Sequence, residues 1–552
     1  MKVFRKKYVI LVSAALVLVL SFGFVSDTDK DFKLVKSLDV FYSLFRELNL
    51  FYVDDTNPEG LIETGINSML ESLDPYTVYI PESEMDDFNF MTTGKYGGIG
   101  ALIRKKDDYA IISEPYEGFP AARAGLRAGD VLISIDGFST KGKELSAVSE
   151  KLKGEPGTEV VIEVLKPGRE KTEKIKVNRE QIQINNVSYS GILDDHTGYI
   201  RLSNFTFGAG QEVKDAFLKL KNESGMDRLI LDLRSNPGGL LIEAVRVCNL
   251  FIDRGELIVS TRGKVKEWDQ NYQTSLDPVD TEIPIIVLVN RGSASASEIV
   301  AGAMQDLDRA VIYGQRTFGK GLVQTTRKLK YNSQLKVTTA KYYIPSGRCI
   351  QALDYTHRNE DGSVGHIPDS LISEYKTRNG RPVFDGGGVV PDIIDTADFI
   401  SQFAVNLYSQ NLIFDFATQY IVEHPEMPEI EGFCISDETF ERFKNFVIEK
   451  DFDYETACEK ALAELIKKSK QEKYYERSKK EFEALEKKLR HDNLADLELF
   501  KSEIVQLLNE DILSRYYLQK GRYEYSVSTD NQIHRAVDLL KNQGRYNALL
   551  NI

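Results

Sequence analysis

The sequence predicts an α/β fold, written out as an α+β multidomain chain in which a layered core sits between helical flanks. Three observations carry this reading. Strand-like apolar runs alternate with helical spacing between Asn185 and Ala340, the pattern of a layered sheet whose loops gather at one end. Two of those runs end in Gly-rich turns that open helices. After residue 396 the composition changes, with a Lys- and Glu-rich helical pattern over residues 467–489.

The first element is the basic cluster Met1-Lys2-Val3-Phe4-Arg5-Lys6-Lys7 and the apolar run from Tyr8 to Val25. Residues 1–25 therefore read as a signal peptide or an uncleaved membrane anchor with its basic end inside. Ser21-Phe22-Gly23 fits a small-x-small cleavage site poorly, and no cysteine follows to accept lipid. The expected location is the periplasm or cell envelope. Residues 26–91 read as helices, with Leu34, Val35, Leu38, Phe41, Tyr42, Leu44 and Phe45 forming an apolar stripe suited to packing or to a homodimer.

Within residues 181–395 lies the core. Arg228 to Arg234 is strand-like, ends in Ser235-Asn236-Pro237-Gly238-Gly239, and is followed by helical spacing from Leu240 to Phe251. Adjacent glycines there let backbone N–H groups approach a ligand, as half of an oxyanion hole would require, although an ordinary βα loop has the same composition. Ile283 to Val289 reads as a buried strand, Gly292 as a turn, and Glu298 to Gln305 as a helix. Ser293, Ser295 and Ser297 alternate at the start of that helix. Free N–H groups and the dipole favour an oxyanion at such a place, while helix capping explains the serines equally well. A third strand, Arg309 to Gly314, leads to Thr317-Phe318-Gly319-Lys320-Gly321-Leu322-Val323-Gln324.

A catalytic serine needs a base. None of the six histidines, His196, His357, His366, His424, His491 and His534, lies in a Gly-rich turn between strand and helix, so they read as surface or packing residues and the Gly-Lys-Gly loop supplies the alternative. Lysine serves only when neutral, and an ordinary pKa of about 10.4 leaves roughly one in a few thousand unprotonated at pH 7. Desolvation to a pKa of about 8 would free roughly a tenth. Phe318 and its apolar neighbours are the expected source of that burial.

Composition sets limits. A formal charge of −14 and a pI near 5.2 argue against nucleic-acid binding. Cys248, Cys349, Cys434 and Cys458 lack metal-ligand spacing. One pair, Cys434 and Cys458, could bridge in an oxidising compartment, but four isolated buried thiols is the simpler reading. No His/Cys/Asp cluster suggests a metal, and no P-loop or nucleotide fingerprint is present, so neither metal, cofactor nor ATP is expected.

The motifs resemble those of the carboxyl-terminal processing peptidases, or tail-specific proteases, of the serine/lysine type. The resemblance rests on Gly-Ser-Ala-Ser-Ala-Ser-Glu-Ile-Val-Ala-Gly at 292–302 and Thr-Phe-Gly-Lys-Gly-x-Val-Gln at 317–324. It extends to Asp-Leu-Arg-x-Asn-Pro-Gly-Gly at 232–239, Tyr-Tyr-Ile-Pro-Ser-Gly-Arg at 342–348 and Leu-Asp-Pro-Tyr-Thr at 73–77. It implies a crotonase-like core with Ser295 as nucleophile, Lys320 as base and Gln324 orienting the lysine. Gly238 and Ala296 would supply the oxyanion N–H groups, Ser297 would cap the helix and Ser293 would serve the turn. Asp306 matches as a supporting residue, or simply as a helix-end residue.

Residues 92–180 resemble a PDZ domain. Tyr96-Gly97-Gly98-Ile99-Gly100-Ala101 matches its carboxylate-binding loop, and Pro120 to Gly137 its middle. Such a domain captures a free chain terminus as an added strand, so Gly97, Gly98, Ile99 and Gly100 would bind apolar C-termini of protein substrates. The glycines also suit a plain hairpin. Lys153 stands where related peptidases carry arginine, which a lysine cannot replace in a bidentate contact. Residues 396–552 read as a helical extension, an oligomerisation set, adaptor-binding module or lid, in which Tyr475, Phe482, Leu485 and Leu489 give one packed stripe. The resulting expectation is an extracytoplasmic endopeptidase acting near unstructured tails. The alternatives are a non-catalytic PDZ scaffold with a degenerate core and an acyl-CoA enzyme of the crotonase type.

Overall fold

The computed structural model describes residues 28–552 apart from 195, 360 and 397–399. The expected signal or anchor over 1–25 lies outside the described residues, and among them no helix is long and apolar enough to cross a membrane. The chain divides into two compact units, one ending at Tyr79 and the other running from Ile80 to the C-terminus.

The first unit is helical. Helix Thr28–Phe51 precedes helix Pro58–Glu71, which starts with proline in its first turn and is capped by Asn57 accepting from Gly60 N–H. The expected stripe is largely exposed, including Leu34, Val35, Leu38, Phe41, Tyr42 and Leu44. In the Leu-Asp-Pro-Tyr-Thr motif, Asp74 accepts from the backbone N–H groups of Tyr76 and Thr77, both at 2.8 Å, and so fixes a turn.

The second unit contains a PDZ-type sheet, a parallel core and a helical extension. In the PDZ-type sheet, strand Ala101–Lys106 lies at one edge and Thr172–Asn178 at the other, with strands Tyr109–Pro115, Val131–Ile135 and Glu159–Leu165 between them. Helix Leu145–Leu152 buries Val148 and Leu152 against Ile112, Leu132, Ile135 and Ile162.

The core sheet has strands Thr197–Leu202, Arg228–Asp232, Ile285–Val289, Val311–Gly314 and Ile393–Ile394 in parallel, with Val187–Ile192 antiparallel at one edge. Every residue of Ile285–Val289 is buried, as a parallel strand covered on both faces requires. Its side chains alternate. Ile285, Val287 and Val289 face the cluster holding Ile299, Val300 and Ala303 of helix Ala296–Asp306. Ile286 and Leu288 face a second cluster with Ile533, Ala536, Val537 and Leu540.

That second cluster assigns the extension a structural task. Helix Asn531–Lys541, with Tyr546 and Leu550 beyond it, is the layer on the sheet's other face. Among the described residues of 181–395 no helix covers this face, so the extension completes the layering of the core sheet. Its remaining helices build their own core around Phe403, Phe416, Phe440, Phe443 and Ile512. The long helix Lys501–Thr529 joins these parts and is broken by Leu518, whose φ of 56° and ψ of −148° are non-helical. In the Lys/Glu-rich stretch, helices Ala457–Gln471 and Lys479–Leu489 flank a tight turn, and Tyr475 stacks on Phe482 at 5.7 Å.

The extension also holds the PDZ-type sheet. Phe414 is buried against Ile111 and Ala128, and its ring lies between the guanidinium groups of Arg104 at 3.3 Å and Arg515 at 4.1 Å from the centroid. Lys106 pairs with Asp415 at 2.6 Å, and Arg522 with Glu114 at 3.4 Å. Replacing Phe414 by alanine should cost about 3 kcal/mol of stability in urea unfolding, through the lost burial and two lost cation–π contacts. It should also speed hydrogen exchange in strand Tyr109–Pro115. Unchanged exchange there would mean that Phe414 does not anchor this sheet.

Candidate active site

The loops that leave the C-terminal ends of strands Arg228–Asp232 and Ile285–Val289 are sewn together. Asn290 Oδ1 accepts from Ser235 N–H at 2.8 Å and Gly292 N–H at 2.9 Å. Ser293, fully buried, donates its hydroxyl to Leu233 O at 2.8 Å. The Asn236 carbonyl accepts from Ala294 N–H at 3.0 Å and from the Ser297 hydroxyl at 2.9 Å. Ser293 thus serves the turn as expected. Ser297 does not cap the helix: helix Ala296–Asp306 starts two residues earlier than the sequence suggested, Ser295 is its N-cap, and the buried Ser297 hydroxyl crosses to the neighbouring loop.

Ser295 has φ 55° and ψ −112°, a region that costs a residue with a Cβ about 1–3 kcal/mol. A carboxylate and a tyrosine hold it there. Ser295 N–H donates to Glu298 Oε2 at 2.8 Å, and Lys320 N–H donates to the same oxygen at 2.9 Å. Glu298 Oε1 accepts from Gly319 N–H at 2.7 Å and from the Thr317 hydroxyl at 2.6 Å. On the other side, the Tyr342 hydroxyl bonds the carbonyls of Ser295, at 3.1 Å, and of Lys320. Phe318 N–H donates to Ser293 O at 3.0 Å. The serine turn and the lysine loop are therefore fixed side by side through their backbones.

Glu298 is fully buried, and burial pushes its pKa up to about 7 against the pull of the four donors. Sequence reasoning quoted Glu298 and Tyr342 within motifs and gave neither a role. A capping-box glutamate three residues after the N-cap serine was the available signal for Glu298. Gly319, at φ +89°, lies so close to Ala352 that a Cβ would approach the Ala352 Cβ to 2.4 Å, which explains the glycine before the lysine.

The other expected residues fall as follows. Gly238, at φ +94°, packs against the nucleophile turn, where an added Cβ would lie 2.8 Å from Ala296 N. Its own N–H donates to Asn236 Oδ1 at 2.9 Å, and Asn236 is anchored in turn on Leu202 O. The expected free oxyanion donor is thus engaged in a local side-chain turn. Ala296 N–H belongs to the first helical turn, which has no carbonyl of its own helix to bond. Lys320 is half-buried, while Phe318 is 49% exposed, so its ring does not form the burying wall that the sequence suggested. Gln324 lies in strand Leu322–Lys328 and donates to Thr338 Oγ1 at 3.2 Å.

Asp306 sits at the opposite end of the serine helix. Its carboxylate pairs with buried Arg348 at 2.8 Å and accepts from Ser346 N–H at 2.9 Å. It orders the loop after strand Gln334–Tyr343, about 16 Å along the helix from Ser295. Three of the six histidines are engaged elsewhere, His491 with Asp453 and Glu459, His357 with Asp354, and His424 stacked on Tyr420. All four cysteines are free, and only Cys248 is buried, which corrects the expectation of four buried thiols.

In the PDZ-type region a groove of about 280 Å³ runs along edge strand Ala101–Lys106 beside helix Leu145–Leu152, lined by Tyr96, Ile99, Ile103, Tyr116 and Leu152. Gly97 and Gly98 belong to strand Lys95–Gly98, paired with Glu180–Gln183, and a Cβ on Gly97 would collide with Gly154 O. Ile99 and Gly100 form the turn into the edge strand, beside Tyr96, whose pKa burial raises to about 12. Lys153 pairs with Asp87 at 2.7 Å.

The sequence matches three family models: Peptidase family S41 over residues 196–357, a PDZ domain over 111–166, and the probable PDZ-protease C-terminal helical domain over 403–540. It is 34% identical over 436 residues to a probable CtpA-like serine protease of Staphylococcus aureus strain MRSA252, covering 77% of this chain and 84% of that one. It is 38% identical over 332 residues to a carboxy-terminal-processing protease of Bartonella bacilliformis, covering 60% and 76% of the two chains. Among solved structures, the photosystem II D1 C-terminal processing protease matches at 29% identity with a TM-score of 0.35, over 64% of this chain and 86% of that one. The third matched region places the helical extension within a C-terminal helical domain of probable PDZ-proteases. With its PDZ domain, its α/β core and its helical C-terminal domain, the chain belongs to peptidase family S41, the serine peptidases of the carboxy-terminal-processing type.

Proposed function

We propose that this enzyme is a Ser295/Lys320 endopeptidase that cleaves extracytoplasmic proteins near unstructured, apolar C-terminal tails, with the PDZ domain selecting the tail. The observation that carries the proposal is Glu298 Oε2 accepting from the backbone N–H groups of both Ser295 and Lys320. One carboxylate oxygen thereby keeps the two residues in adjacent positions.

In this reading neutral Lys320 takes the Ser295 hydroxyl proton as Oγ attacks the scissile carbonyl carbon. The oxyanion is met by Ala296 N–H and by Gly238 N–H once the latter exchanges its bond to Asn236. Lys320 returns the proton to the departing amine, and water then attacks the acyl-enzyme and releases the new C-terminus. Gln324 orients the lysine. The tail adds to edge strand Ala101–Lys106, and its carboxylate is captured by backbone N–H groups of the turn at Ile99 and Gly100. The basic and apolar segment over residues 1–25 directs the enzyme to the periplasm or cell envelope.

Ser295→Ala and Lys320→Ala should each lower kcat on such a substrate by about 10³-fold or more while leaving unfolding transitions intact. Activity of either variant near that of the parent would sink the assignment. Amidating the substrate's C-terminus should raise KM about tenfold or more with kcat nearly constant. Equal KM values for the free and amidated tails would remove the PDZ domain from recognition.

Glu298 yields a pH test. Its folded pKa, raised to about 7, lies above that of an unfolded glutamate, so its contribution to stability is present at low pH and lost as pH rises through this interval. The stability of the parent relative to Glu298→Gln should fall by about 3 kcal/mol between pH 4.5 and pH 8. A pH-independent difference in urea unfolding would mean that Glu298 is not held protonated by burial.

A further inference from the structure

We infer that Asp530 and Gln532, in the C-terminal helical extension, are positioning residues of the peptidase site that hold the turn bearing Gly238 through Arg234. The inference rests on the proposed serine mechanism and gives the extension a part in it.

Arg234 divides its guanidinium among three residues. Nε and Nη2 donate to Asp232, at 3.0 Å and 2.6 Å. Nη1 donates to Asp530 Oδ2 at 2.7 Å and to Gln532 Oε1 at 2.8 Å. Asp232 is fully buried at the end of its strand and also accepts from the Tyr199 hydroxyl at 2.6 Å. It fixes the inner edge of the guanidinium, and the extension fixes the outer one. Without Asp530 and Gln532, Nη1 loses both of its protein acceptors and that end of the side chain is free to move.

Such movement would reach the site in four residues. Ser235, next to Arg234, has φ 58° and is held by Asn290 Oδ1. Asn236 O bonds the nucleophile turn, and Asn236 Oδ1 holds Gly238 N–H. Gly238 has no slack, since even a Cβ would approach Ala294 O to 2.6 Å. Oxyanion donors work only when held within about 0.5 Å of their productive position, and losing one costs about 10²–10³ in kcat. The extension is firm enough to serve as the anchor. Asp530 Oδ1 caps helix Asn531–Lys541 by accepting from Gln532 and Ile533 N–H, and that helix is packed on the sheet through Ile533, Ala536 and Val537. Gln532 Nε2 is tied to Asp395 O at 3.0 Å.

The two oxygens of Asp530 have separate tasks, so Asp530→Asn tests the inference cleanly. The amide keeps an oxygen for the cap and turns an N–H toward Arg234 Nη1, placing donor against donor. In the full-length enzyme, kcat on an unstructured peptide with an apolar C-terminus should fall at least tenfold. KM and the melting temperature should change little, and fluorophosphonate labelling of Ser295 should slow in step. Adding Gln532→Glu to Asp530→Asn returns an anion to Nη1 and should restore part of kcat. A kcat within twofold of the parent, or a loss of kcat that only follows a lower melting temperature, would overturn the inference. If instead the parent is not labelled at Ser295, or Ser295→Ala stays active, the serine mechanism itself is at fault.

Discussion

The structure depends on the burial of one carboxylate. Glu298 receives four hydrogen bonds from two segments that are separate in sequence, the Ser295 turn and the loop that holds Thr317, Gly319 and Lys320. A buried charge so placed is costly unless every donor is aligned. That cost ties the segments to one another, because displacing either of them leaves Glu298 less well satisfied. The unfavourable backbone of Ser295 is sustained by the same arrangement, with Tyr342 bracing the two carbonyls from the opposite side.

A second dependence runs through the sheet. Parallel strands bury both faces, and the chain fulfils this with two unequal sources. The serine helix comes from the core itself, whereas the opposite layer arrives from beyond residue 530. The β-strand alternation that sends Ile285, Val287 and Val289 one way and Ile286 and Leu288 the other therefore joins chain segments more than two hundred residues apart.

Local elements were legible in the sequence because their signals are local. The runs read as strands over 228–234, 283–289 and 309–314 appear as Arg228–Asp232, Ile285–Val289 and Val311–Gly314, and the Gly-rich turns lie at their C-terminal ends. What escaped was tertiary. Glu298 looks like any first-turn acid until Gly319 and Lys320 converge on it, and the reading of Ser297 as a cap failed because Ser295 took that place. The engagement of Gly238 N–H by Asn236 turns on a side-chain rotamer. Phe318 illustrates the same limit, since apolar character does not say which side of a loop a ring occupies.

The long helix Lys501–Thr529 carries Arg515 and Arg522 at the PDZ junction and delivers Asp530 to Arg234, with the break at Leu518 between the two arginines. The extension is thus a shared chassis on which recognition and chemistry are both mounted. Its consequence is one of modularity: the PDZ domain and the peptidase core each share a contact surface with the extension, so exchanging either also changes that surface. A chimera that imports either without a matching extension loses the Phe414 contacts that hold the PDZ-type sheet or the Asp530 and Gln532 contacts that hold Arg234.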